Sequence, residues 1–132
     1  MKLKRYQAAF ILLWSLERIW DAVSTRRLIE LGAVERNALL RKIIAHIGLD
    51  AGLALWSAAT IVLGILLGAL LPAGLSWGLR RARRLTSVEK ALLDAYGVDG
   101  VSKIILVTSL VIGGVAPLLN SLCLLKLSLV GG

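Results

Sequence analysis

The chain has 132 residues, 58% of them hydrophobic, and its 16 Lys and Arg against 8 Asp and Glu give a net charge of +8. A soluble domain has about 45–50% apolar residues, so this composition argues against an ordinary soluble domain. Nucleic acid is not an expected partner, because no binding motif or basic–aromatic platform accompanies the charge. The single cysteine, Cys123, excludes an internal disulfide.

Two long stretches carry no charged residue. They cover residues 51–79 and 104–125, which is 29 and 22 positions. A bilayer core requires about 20 apolar residues in helical form, and the remaining chain is too short to cover both stretches with protein. We therefore expect a single transmembrane domain over residues 1–132, multi-pass in the cell (plasma) membrane.

The first helix is predicted over residues 6–31, with Gly32 as its C-terminal stop. The basic start and the following apolar stretch are typical of a signal peptide. However, Glu17, Arg18 and Asp21 follow at once, without a small-residue cleavage site. We therefore expect this segment to remain attached as the first helix.

The second helix is predicted over residues 38–71, ending at Pro72. Because 34 residues span roughly 50 Å, we expect a bend, for which Gly48 and Gly52 are the candidates. Splitting residues 38–79 into two helices gives a four-span alternative, but residues 51–71 contain no polar turn. Gly64 and Gly68 form a small-x-x-x-small pattern that permits close packing or dimerisation.

Residues 72–100 are predicted to form an interfacial or cytoplasmic segment. Thr86 and Glu89 match a capping box, which predicts a short amphipathic surface helix from Ser87 to Tyr96, ended by Gly97. Anionic lipid headgroups are the expected partners of the basic residues in this segment. These residues are Arg80, Arg81, Arg83 and Arg84.

The third span is predicted over residues 101–127. Ser109, Gly113, Pro117 and Asn120 share a small, polar face that should point toward the other helices. The resulting fold class is all-α, an integral membrane bundle of three transmembrane helices. Eight basic residues on the N-terminal side against six on the other predict a cytoplasmic N-terminus.

Polar residues cluster where the first hairpin closes, and ionisable residues inside a membrane usually face a bundle interior or cavity. A metal ion held by Asp21, Glu35, His46 and Asp50 is one hypothesis, and a proton relay through Asp21 and His46 is another. Satisfied pairs and caps, such as Asn37 as an N-cap, are the structural alternative. The full candidate site is Asp21, Thr25, Glu35, Asn37, His46 and Asp50, with Glu17 and Asn120 nearby.

The patterns Asp21-Ala-Val-Ser-Thr25 and Gly32-Ala-Val-Glu35-Arg-Asn37 resemble a family of small prokaryotic membrane proteins known as a domain of unknown function. That family usually has Pro after the Asn, where this chain has Ala38. The resemblance implies a three- or four-helix membrane domain with a polar site around Asp21, Thr25, Glu35 and Asn37. It implies no reaction or cofactor.

The sequence contains no nucleophile motif, phosphate-binding loop or haem-binding pattern, so an enzyme is the less favoured class. The leading hypothesis is a small polytopic membrane protein whose polar cluster between the first two helices binds an ion or small polar ligand. The alternative is a non-catalytic accessory subunit of a larger membrane complex, and a homo-oligomer is a further expectation. The low content of side-chain amides and the high content of Leu and Arg are typical of a thermophile protein, and GC-rich codon usage produces the same composition.

Overall fold

The computed structural model describes residues 2–81 and 86–131, and every regular element in these ranges is an α-helix. Arg83 and Arg84, two of the residues expected at lipid headgroups, lie outside the described residues. The four helices are α1 Arg5–Glu30, α2 Ala38–Ile47, α3 Leu49–Arg81 and α4 Ser87–Gly131.

Helix α1 agrees closely with its predicted bounds. After its C-terminal end, Gly32 adopts φ +93°, its N–H donates to Ile29 O at 2.9 Å, and Ala33 N–H donates to Leu28 O at 3.0 Å. This pair of bonds is the Schellman motif, which satisfies carbonyls that a helix end leaves free. Gly32 is therefore the stop that the sequence predicted, and a side chain there would be strained.

The predicted second helix is two helices. Gly48 lies between α2 and α3 with φ +93°, a conformation that side chains rarely adopt, and the backbone changes direction there. Helix α2 then packs across the beginning of α3, where Ile44 lies against Gly52. Of the two predicted bend points, Gly48 therefore separates the two helices, whereas Gly52 provides the close contact between α2 and α3.

The prediction that Pro72 ends the helix was wrong, because α3 continues to Arg81. Proline has no N–H, so the carbonyl of Gly68, four residues earlier, loses its helical donor. The side-chain amide of Gln7 on α1 donates to that carbonyl at 2.9 Å and to Ala69 O at 3.1 Å. Because a neighbouring helix satisfies the released carbonyl, α3 passes through Pro72.

Helix α4 begins earlier than the predicted third span. The Thr86 N–H donates to Glu89 Oε2 at 2.9 Å, and the Glu89 N–H donates to Thr86 Oγ1 at 3.3 Å. These bonds confirm the capping box that the sequence predicted. Gly97, at φ 69° and ψ 178°, then separates a short first section from the long section that ends at Gly131, so the predicted surface helix and third span are joined by a kink.

The second helix-internal proline repeats the arrangement of the first. Pro117 removes the donor for the carbonyl of Gly113, and the guanidinium of Arg18 on α1 donates to that carbonyl. The spacing Gly-x-x-x-Pro is therefore the same in α3 and α4, and α1 supplies the replacement donor in both.

Helix α1 lies between α3 and α4, which contact each other less than either contacts α1. It runs antiparallel to α3, as the Gln7–Gly68 and Arg26–Asp50 contacts show. It runs parallel to α4, as the Tyr6–Asp99 and Arg18–Gly113 contacts show. The bundle is thus organised around its first helix.

The small-x-x-x-small pattern is used inside the chain. A Cβ on Gly64 would overlap Trp14 Cδ1, and a Cβ on Gly68 would lie 2.8 Å from Phe10 Cδ1. The Trp14 indole N–H also donates to Thr60 O at 2.8 Å. These two glycines therefore form the surface of α3 on which α1 packs, which we call the seat of α1.

Two helices, α3 and α4, are long and apolar enough to cross a membrane, where the sequence predicted three spans. Helix α1 is long enough, but every 18-residue stretch of it contains at least Glu17, Arg18 and Asp21. Only 17% of the most apolar stretch of α3, and likewise of α4, is buried within the chain. The core helices of a soluble protein would be mostly buried, so these two apolar surfaces favour a membrane setting.

Substitution of Gly64 by Ala is expected to destabilise the α1–α3 contact, because the added methyl group overlaps the Trp14 ring. Overpacking of this kind costs about 1–3 kcal/mol, which thermal unfolding in detergent would measure. The matched control is Gly74→Ala in the same helix, where a Cβ has nothing within 4 Å. Equal unfolding temperatures for the two variants would contradict the proposed seat of α1.

Substitution of Gln7 by Leu should destabilise the bundle by about 1–3 kcal/mol, because it leaves the Gly68 carbonyl without a donor. Pro72→Ala restores the backbone N–H that the carbonyl lacks. The loss caused by Gln7→Leu should therefore be smaller in the Pro72→Ala background, which a double-mutant cycle of unfolding free energies would show. Strict additivity of the two substitutions would show that the amide does not serve the proline site.

Candidate functional site

The guanidinium of Arg18 lies at the contact between α1 and α4, with 11% of its side chain exposed. It donates to Gly113 O, and its Cζ lies 4.9 Å from the centroid of the Trp14 ring. Its distances to the carboxylates of Glu17 and Asp21 are 3.9 and 3.8 Å, which are too long for hydrogen bonds. Arg18 is therefore held by a carbonyl and an aromatic face more closely than by either carboxylate.

The Glu17 carboxylate lies against a pair of glycines in α4. A Cβ on Gly113 would be 3.3 Å from Glu17 Oε2, and a Cβ on Gly114 would be 3.2 Å from Glu17 Oε1. The Oε2 atom is buried and has no hydrogen-bond partner among the described residues, although 27% of the whole side chain is exposed. The glycine pair thus makes room for a carboxylate without supplying it with a donor.

Asn120 of α4 connects to α1 one turn further along. Its Nδ2 lies 3.2 Å from Asp21 Oδ1, 3.2 Å from Ser24 Oγ and 3.1 Å from Thr25 Oγ1, all of which can accept. Asn120 therefore faces another helix, as the sequence predicted for the polar face of the third span, and its contacts place Asp21 and Thr25 beside α4. We call Glu17, Arg18, Asp21 and Asn120 the α1–α4 cluster.

The α1–α4 cluster lies beside the uncharged part of α4. Arg18 and Glu17 contact Gly113 and Gly114, which are at the middle of the uncharged stretch 104–125. In a bilayer, this level is far from both headgroup layers. The cluster holds two carboxylates and one guanidinium, so its net charge with all three ionised is −1.

An open groove of about 360 Å³ runs between α1 and α4 beside this cluster, and Glu17, Gly114 and Pro117 are among its lining residues. At its edge, the Trp20 indole N–H donates to Ser121 Oγ at 2.7 Å, and Ser121 donates to Pro117 O at 2.8 Å. The groove explains how Glu17 keeps partial exposure while one of its oxygens is buried.

The other residues of the predicted site have separate roles. Asn37 Oδ1 accepts from the backbone N–H groups of Leu39 and Leu40 at 3.0 and 3.2 Å, so the structural interpretation of Asn37 as an N-cap is confirmed. Glu35 Oε1 accepts from the Asn37 N–H at 2.8 Å. Glu35 therefore supports the entry into α2.

His46 and Asp50, the expected opposite wall of the site, lie at the surface. His46 Nδ1 is 2.7 Å from Lys42 O within α2, and Asp50 forms an ion pair with Arg26 at 3.1 Å. In the ranges 2–81 and 86–131, no group of three or more His, Cys, Asp and Glu residues is placed to hold a metal ion. The metal site and the relay through His46 stay predictions.

The N-terminus is fixed to the kink of α4 at the opposite end of the bundle. Lys4 Nζ forms an ion pair with Asp99, and Tyr6 Oη donates to Asp99 Oδ1 at 2.9 Å. The hydrogen bonds from Lys4 and then from Tyr6 hold the pKa of Asp99 below its ordinary value of 3.8. A second open groove, of about 530 Å³, lies here, lined in part by Lys4, Ser76 and Asp99.

Sequence reasoning did not identify Gln7 or the shared role of the two prolines. The available signals were a lone amide in the apolar first half of α1 and the equal Gly-x-x-x-Pro spacing of Gly68–Pro72 and Gly113–Pro117. What it could not supply was the register of α1, which decides which carbonyl each donor reaches.

Comparisons with known proteins do not extend this description: no family model, no curated protein and no solved structure matches the chain.

Substitution of Asp99 by Asn should destabilise the chain at neutral pH, because it removes the negative charge that pairs with Lys4 and leaves one acceptor oxygen where Lys4 and Tyr6 now use two. Since the folded-state pKa of Asp99 is lowered, its stabilisation is complete above the ordinary value of 3.8 and is lost as the pH falls through the lowered value. Unfolding temperatures of wild type and variant should therefore converge below that pH. Asp94→Asn is the control, since Asp94 is exposed, and a pH-independent difference for Asp99→Asn would contradict the assignment.

Proposed function

We propose that the chain is a small multi-pass membrane protein in which α1, α3 and α4 cross the bilayer and the α1–α4 cluster binds one proton, with Glu17 as the binding group. The single observation that carries the proposal is the Glu17 carboxylate, which lies against the Gly113–Gly114 pair with one oxygen buried and without a donor. The cluster replaces the predicted contact of helices one and two as the site.

The crossing of α1 is supported by its position between the two apolar helices and by its donors to their carbonyls. A carbonyl without a donor costs several kcal/mol in hydrocarbon. Polar side chains of α1 that face α3 and α4 would remove this cost, whereas its Leu12, Leu13 and Leu16 are exposed on the outside. A helix can thus be too polar by composition and still suit a membrane when its polar groups are paired within the bundle.

The binding of a positive charge follows from the charge count. One guanidinium cannot neutralise two carboxylates, and a net charge in a low-dielectric interior is costly. Residues 51–79 of α3 and 104–125 of α4 contain no charged group that could compensate. A proton fits better than a metal ion, because the cluster offers only two carboxylates and the described residues contain no group of three or more His, Cys, Asp and Glu placed to hold a metal.

The proposal is tested by infrared spectroscopy of the protein in lipid bilayers. At neutral pH, the wild type should show the carbonyl stretch of a protonated carboxylic acid in an apolar setting, and Glu17→Gln should remove it. Glu30→Gln is the control, because Glu30 is an exposed residue that pairs with Arg26 at 3.3 Å. This variant should keep the band.

The other outcomes are equally specific. A band that is absent at neutral pH, together with a sodium- or potassium-dependent unfolding temperature that Glu17→Gln abolishes, would replace the proton by a monovalent cation. If the band is absent and no salt dependence is found, the cluster carries its net charge uncompensated and the proposal fails. The accessory-subunit alternative stays a prediction.

A further inference from the structure

Helix α2, together with Arg36 two residues before it, carries only basic charged side chains. Between residues 36 and 47 all three charged side chains are basic, namely Arg36, Arg41 and Lys42, and none has a carboxylate within ion-pair distance among the described residues. All three are exposed. These cations are therefore available to an external anionic partner.

One face of α2 is already occupied by the chain itself. Leu40 is buried and Ile44 packs on Gly52 of α3, while Leu39 and Ile47 remain 57% and 49% exposed. A buried edge, an exposed apolar edge and a basic surface are the features of a helix that lies along a membrane interface. Such a helix places its apolar side at the acyl boundary and its cations among the headgroups.

The position of α2 in the chain supports this orientation. Gly48 ends α2 with φ +93°, so its axis does not continue into α3, and the uncharged stretch of α3 begins three residues later. Helix α2 therefore lies where a crossing α3 would enter the hydrocarbon. Ten residues at 1.5 Å per residue make it about 15 Å long, which is enough to contact several lipid headgroups.

We infer that α2 is an interfacial helix that binds the phosphates of anionic phospholipids through Arg36, Arg41 and Lys42. The inference rests on the membrane crossing of the proposed function, but not on its proton. Each cation near an anionic surface raises the membrane partition coefficient roughly fivefold. Three cations together therefore raise it on the order of a hundredfold. The attraction is weakened by salt, because the charges are exposed.

The experiment is hydrogen exchange of the full chain in bilayers of phosphatidylcholine alone and of an equal mixture with phosphatidylglycerol. The amides of α2 should exchange more slowly in the anionic bilayer, and high salt or the triple variant R36Q/R41Q/K42Q should remove the difference. The matched control R80Q/R81Q/K90Q removes the same charge from the opposite end of the bundle and should retain it.

The remaining outcomes each overturn the inference. Equal α2 exchange in both bilayers would show that its cations do not select anionic lipid. If the protection of the α2 amides depends on the density of protein in the bilayer instead of the lipid charge, a second copy of the chain covers α2. The exchange of α3 and α4 serves as an internal standard, since rapid exchange there in every bilayer would indicate that the chain does not cross, in which case the proposed function fails as well.

Discussion

The fold depends on two backbone carbonyls that prolines deprive of their helical donors. Pro72 releases the carbonyl of Gly68, Pro117 releases that of Gly113, and α1 supplies a side-chain donor to each. In hydrocarbon no water can take this role. The register of α1 against both neighbours is consequently set by polar contacts, and glycine at each released carbonyl allows the approach that these contacts require.

This constraint explains why the first helix is the most polar one and yet the central one. Soluble bundles bury apolar stripes, whereas here the apolar surfaces of α3 and α4 are largely exposed and polar side chains of α1 lie between them. Trp14 contributes both to packing and to hydrogen bonding, because its ring fills the space above Gly64 while its indole N–H donates to Thr60 O. Composition alone therefore does not show that polar side chains of α1 are paired with groups of α3 and α4.

The sequence predicted the elements better than the contacts between them. Gly32, the capping box at Thr86 and the N-cap Asn37 act over one helical turn, so local chemistry determines them and the predictions hold. The end predicted at Pro72 was wrong because the compensating donor, Gln7, lies 65 residues earlier in the chain. Asp21 and Thr25 also contact Asn120 of α4, which reasoning about the hairpin of neighbouring helices does not consider, while the ligand site between the first two helices stays a prediction.

The chemistry of the α1–α4 cluster is a consequence of the same constraint. Arg18 carries the only positive charge of the cluster, and it is directed toward the carbonyl that Pro117 releases and toward the Trp14 ring. Its distances of 3.8 and 3.9 Å to the two carboxylates reflect this competition. A bundle that uses its guanidinium to complete a backbone leaves a carboxylate incompletely paired beside it, and this carboxylate, Glu17, is the one to which we assign the proton. The helix-internal proline of α4 and the incompletely paired carboxylate of α1 are in this way linked through Arg18.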